Sequence, residues 1–106
     1  MIEIDKISGV GEYEVRNEKV RPDKDEMRTL YLVNGKAFLV ENKNTLEVRC
    51  DRKLSKLLAE KYESVMESRY YGRGGIEIVN AGQLDATEVE DLVRLSYNLT
   101  TEMEDK

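Results

Sequence analysis

Hydrophobic positions along this chain recur every second residue up to Cys50 and every third or fourth residue after it, with one return to alternation. "GEYEVRNEKVR" alternates at Tyr13, Val15 and, less cleanly, Val20, which predicts an extended, partly exposed strand. "VRPDKDEM" is a polar turn punctuated by Pro22. "RTLYLV" then meets Asn34-Gly35, a dipeptide suited to the type I′ hairpin turn because both central residues need positive φ. "KAFLVE" follows, then a polar turn at Asn42-Lys43-Asn44, then "TLEVRC". In that last run Leu46, Val48 and Cys50 point one way and Thr45, Glu47 and Arg49 the other. The pattern predicts a three-stranded antiparallel meander from about residue 27 to 50.

Asp51 is placed to cap a helix through "RKLSKLLAEKYESVM", with Leu54, Leu57, Leu58, Tyr62 and Val65 as its apolar stripe. "GGIEIVNAG" returns to alternation at Ile76 and Ile78 and is closed by Asn80-Ala81-Gly82. A last helix starts at Asp85 with Glu88 three residues on, an arrangement like a capping box, and its stripe is Val89, Leu92, Val93 and Tyr97. The tail "TTEMEDK" is polar and is expected to fray. No repeat or linker divides the chain, so residues 1–106 read as one domain, with 1–26 as an N-terminal part outside the meander. Strands, helix, strand, helix predict an α+β two-layer sandwich: an antiparallel sheet with two helices on one face.

Composition narrows the chemistry. There is no histidine, which removes the Ser-His-Asp and Cys-His nucleophile systems and the usual zinc sites. A single cysteine excludes an internal disulfide, and Cys50 lies on the apolar side of its strand, where it reads as a small buried hydrophobe. No apolar run approaches the roughly 20 residues of a membrane-spanning helix, and the start "MIEIDKISGV" is unlike a secretory signal. A cytoplasmic location with no membrane partner is the expectation. Net charge is −5, yet residues 49–75 hold seven bases against four acids, so an anionic partner is sought there.

Three segments, "VNGKAFLV", "LEVRCD" and "LDATEVEDLVRLSYNL", resemble in order and spacing the MmcQ/YjbR family, with a looser likeness to the TfoX N-terminal domain. Gly35, Lys36 and Phe38, then Cys50 and Asp51, then Ser96, Tyr97 and Leu99 stand at the family's motif positions, over roughly residues 30–100. The resemblance implies a CyaY-like, frataxin-type sandwich and a DNA-contacting role through projecting hairpins. The chain departs from the family in its strand-like first 25 residues and in "YYGRGG", which replaces a basic stretch containing histidine and tryptophan.

"RYYGRGG", residues 69–75, admits two readings. Arg69 and Arg73 contact phosphate while Tyr70 or Tyr71 stacks a base, or the stretch is a glycine-eased connection with Gly72 in a left-handed conformation and the tyrosines on the sheet edge. Arg49, Arg52, Lys53 and Lys56 extend the first reading into a basic face; bases in the first turn oppose the helix dipole, which favours an anion partner. The alternative is a solvated helix face with Lys56 paired to Glu60. Asp85, Glu88, Glu90 and Asp91 are better read as acids at a helix N-terminus than as metal ligands. The resulting expectation is a non-enzymatic binding or adaptor domain without cofactor, touching DNA or RNA weakly through Arg49, Arg52, Lys53, Lys56, Arg69, Tyr70, Tyr71 and Arg73. The alternative is a protein–protein module or homodimer joined through an exposed strand edge in residues 11–21.

Overall fold

The computed structural model describes residues 3–23, 25–80 and 82–103. A short 3-10 turn, Ile4–Lys6, precedes strands β1 (Glu14–Lys19), β2 (Met27–Val33), β3 (Lys36–Glu41) and β4 (Thr45–Arg49). Helix α1 (Arg52–Lys61), strands β5 (Val65–Ser68) and β6 (Gly72–Val79), and helix α2 (Ala86–Glu102) follow. The strands form one antiparallel sheet in the order β1-β2-β3-β4-β6-β5. Both helices pack on one face, α2 against β3 and β4 and α1 against β6 and β5, which is the α+β two-layer sandwich.

The local signals act as expected where the sequence is explicit. Asn34 and Gly35 adopt φ of 54° and 79°, completing the I′ turn between β2 and β3. The Asp51 carboxylate accepts from the Leu54 amide, and that of Asp85 from the Glu88 amide, so each helix begins at its predicted cap. The helix-side core gathers Phe38, Leu39, Val48, Ile76, Ile78, Val93 and Tyr97, with Ile4 and Ile7 from the N-terminal turn.

A bulge gives β3 its double role. Tyr31 pairs with Leu39 and Leu32 with Ala37, which leaves Phe38 as the extra residue. Phe38 and Leu39 therefore both face the helices, while Ala37 and Val40 face the other side, and all four are buried. Beyond the last β3–β4 pair, Leu39 with Val48, the two strands are joined by a side chain. The fully buried Ser96 hydroxyl donates to the Phe38 carbonyl (2.6 Å) and accepts the Arg49 amide (2.7 Å). Nearby, Tyr97 donates to the Glu12 carbonyl, fastening the N-terminal segment to α2.

Four local expectations are corrected. The first helix ends at Lys61, and Val65 belongs to β5, an edge strand that the helical spacing of Leu58, Tyr62 and Val65 conceals. Leu57 is 63% exposed and lies outside the core. The later strand begins at Gly72, so the glycines of "GRGG" are part of it. The expected tail is helical to Glu102, and residues 104–106 lie outside the described residues.

Candidate functional site

The sheet's second face carries no helix, yet it is not open to water. Leu30, Leu32, Ala37 and Val40 form a small apolar cluster there, each no more than 3% exposed, and Tyr71 packs on it. The strand alternation that aims Leu46, Val48, Ile76 and Ile78 at the helices turns Glu47, Arg49, Gly75 and Glu77 to this side. What covers it is "RYYGRGG". The β5–β6 turn folds back over the sheet instead of projecting from its end.

Gly72, Gly75, Tyr70 and Tyr71 have the main parts in that fold-back. Gly72, at φ 62°, makes the left-handed turn. Gly75 lets the Tyr71 ring pass close over β6, since a Cβ there would lie 2.5 Å from the Val48 carbonyl oxygen and 2.8 Å from Tyr71 Cβ. The Tyr71 hydroxyl donates to the Ala37 carbonyl (3.0 Å), and the Arg49 Nε donates to the same oxygen (3.0 Å). The Arg49 guanidinium also lies over the Tyr71 ring, and that of Arg28 over Tyr70, each under 5 Å from the ring centroid. Such contacts contribute about 0.5–1 kcal/mol each near a surface. Burial raises the Tyr71 phenol's pKa well above its ordinary value, although the Arg49 charge pulls it down.

Beneath the tyrosines lie two carboxylates that alternation alone would leave in solvent. Glu47 and Glu77 stand opposite one another on β4 and β6 and are 1% and 2% exposed. Like charges so placed repel unless each is satisfied separately. Glu77 accepts two hydrogen bonds from Arg69 (3.0 and 2.8 Å) and one from the Thr45 hydroxyl (2.7 Å). Glu47 accepts from Asn42 Nδ2 (2.8 Å), the Ser68 hydroxyl (2.7 Å) and the Tyr70 amide (2.9 Å). Burial pushes the Glu77 carboxyl's pKa up, but Arg69 and Thr45 pull harder and hold it below its ordinary 4.5. The signal available in the sequence was the pairing of "LEV" with "IEI", two glutamates inside β-rich runs, with Arg69 eight residues before the second.

The eight residues considered for nucleic acid are therefore divided between settings. Arg49, Arg69, Tyr70 and Tyr71 take part in this cover on the helix-free face. Arg52, Lys53 and Lys56 are exposed on α1, in the helical layer, and Arg73 is exposed at the start of β6. No Lys56–Glu60 ion pair forms among the described residues.

Other candidate chemistry is individually engaged. Cys50 is 3% exposed and its thiol is pushed up to about 11, by burial first and by the Asp51 charge second, which disfavours the nucleophilic thiolate. On α2, Asp85 caps, Glu88 accepts from the Tyr62 hydroxyl and Asp91 pairs with Arg94. Among the described residues no three His, Cys, Asp or Glu side chains gather as a metal-ligand set, and no helix is long and apolar enough to cross a membrane. A cleft of about 840 Å³ lies between the N-terminal turn, the sheet and the start of α2, with Leu46, Ile78 and Val89 among its walls and Glu41, Lys43 and Glu90 among its polar ones.

The edges of the sheet differ. β5 is short and continuous with the cover, whereas β1 forms a six-residue margin with nearly every side chain exposed, Val15 at 56%. No protein-family model matches this chain, and neither a curated protein nor a solved structure matches it.

Proposed function

We propose that this chain is a small non-enzymatic binding domain that engages a protein partner through the backbone of its β1 edge. The observation carrying this reading is the contrast between the two margins of the structure. Arg69, Tyr70, Tyr71 and Glu77 are committed to internal contacts beside the β5 edge, while β1, with nearly every side chain exposed, ends the sheet without a neighbour on its outer side among the described residues. An exposed strand margin is a template for strand addition, in which main-chain hydrogen bonds supply the affinity. The likeness to the MmcQ/YjbR family belongs with this proposal as a reading of the fold type, not as a source of residue roles.

A second reading keeps nucleic acid as the partner, favoured by the exposed Arg52, Lys53, Lys56 and Arg73. Fluorescence anisotropy with short labelled DNA and RNA at low salt separates the two. Nonspecific electrostatic binders associate by about 10 µM under such conditions. The protein-binding reading predicts no anisotropy change at that concentration. Binding that disappears in the Arg52→Ala/Lys53→Ala/Lys56→Ala variant would replace it with the second reading.

A further inference from the structure

The charges along β1 identify a partner for it. Val20 donates its amide to the Glu26 carbonyl across the β1–β2 turn, so the even-numbered residues of β1 turn their N–H and C=O toward β2. Val15, Asn17 and Lys19 then turn theirs outward, ready for another strand. On the helix-free face β1 presents Glu14, Arg16 and Glu18; on the helical face it presents Val15, Asn17 and Lys19.

Suppose the added strand is another β1, antiparallel and related by a two-fold axis through the sheet. Residues opposite one another must lie on the same face, so the axis falls on a single residue and its twin. Centred on Arg16, the pairing sets arginine against arginine and Glu14 against Glu18; centred on Glu18, it sets glutamate against glutamate. Both are disfavoured, because like charges directly opposite destabilise. Centred on Val15, it joins Glu14 to Arg16, but requires residues 11–13, which lie outside the strand and are tied to α2 through the Tyr97 bond to the Glu12 carbonyl. Centred on Asn17, it places Arg16 opposite Glu18 of the second copy twice, pairs residues 15–19 of the strand without drawing on residues 11–13, and lays the Lys19 stem along exposed Val15. Glu18 already meets Arg28 of its own chain (2.5 Å), so its carboxylate would sit between two guanidinium groups.

We infer that the partner of the β1 edge is a second copy of this chain, paired antiparallel about Asn17 with Arg16 facing Glu18 across the seam. The inference rests on the edge-binding reading and narrows it. The product is one continuous sheet with both pairs of helices on the same face. Charges that discourage indiscriminate strand addition here select a single register.

Register-specific disulfide trapping tests it. Single cysteines are placed at positions 15, 16 and 17 (Val15→Cys, Arg16→Cys, Asn17→Cys) in a Cys50→Ala background. Each protein is oxidised at neutral pH and analysed on a non-reducing gel, beside sedimentation velocity of the unsubstituted chain. Opposite residues of a hydrogen-bonded antiparallel pair have Cα atoms about 5.5 Å apart, within disulfide reach, whereas pairs beyond about 7 Å do not bridge. The expected result is a covalent dimer from Asn17→Cys in large excess over the other two, and a sedimentation coefficient that rises with concentration. Equal or greater cross-linking at position 15 or 16 overturns the register. A monomer at every concentration with no cross-link overturns self-pairing. That failure is distinct from failure of the edge-binding reading, which the anisotropy titration alone replaces. Unfolding midpoints of the three variants, expected to agree because all three sites are exposed, show that a missing cross-link is not a missing fold.

Discussion

Ser96 shows how one hydroxyl can decide a strand junction. The bulge at Phe38 leaves a carbonyl on β3 and an amide on β4 without ladder partners, and Ser96 serves both while itself fully buried. Replacing it with Ala removes few atoms but strands two backbone groups away from water, at about 1–3 kcal/mol for each buried group left unsatisfied. Ser96→Ala is therefore expected to lower stability by about 2–6 kcal/mol in urea denaturation, while Ser96→Thr keeps the hydroxyl and isolates the steric cost. From sequence, Tyr97 was legible as part of the buried stripe of α2, with Ser96 beside it. Their bonds to Phe38, Arg49 and Glu12 were not, because those partners lie far away along the chain and become neighbours only after the bulge forms.

At the scale of elements, the meander and both helix starts were legible because their signals are local: Asn34-Gly35 for the turn, Asp51 and Asp85 for the caps. β5 was hidden because Leu58, Tyr62 and Val65 satisfy helical spacing, and only the C-terminal turn at Tyr62 ends the run. The fold-back of "RYYGRGG" was likewise out of reach of alternation, which assigns Glu47 and Glu77 to solvent. The Arg69–Glu77 clamp makes this element sensitive to acid. Glu77 is held below its ordinary value, so protonation is harder in the folded chain than in the unfolded one. Its contribution is present above the ordinary carboxylate value and is lost as pH falls through the lowered one. Arg69→Ala is expected to be less stable than the parent at neutral pH, and the gap in urea midpoint should narrow as pH falls below about 4. A gap constant from neutral to acid pH would show that the clamp contributes through packing and not through charge.

For the whole molecule, a six-stranded sheet has two faces to close and only two helices, both spent on one of them. The chain closes the other with two tyrosines, three arginines and a pair of satisfied carboxylates, so the residues that look most like a ligand site belong to the structure. The β1 margin, which the sequence announced as a partly exposed strand without saying that it would end the sheet, stays outward. The most direct test of this account is equilibrium urea denaturation of Tyr71→Ala beside Tyr71→Phe. Tyr71→Phe keeps the ring, and Ala37 keeps its bond from Arg49, so a loss of about 1 kcal/mol or less is expected. Tyr71→Ala uncovers Leu30, Leu32, Ala37 and Val40, and a loss of about 2–4 kcal/mol is expected, in the range for removing a large aromatic from a packed cluster. A Tyr71→Ala protein as stable as the parent would contradict the account and return residues 69–75 to the surface as a candidate ligand site.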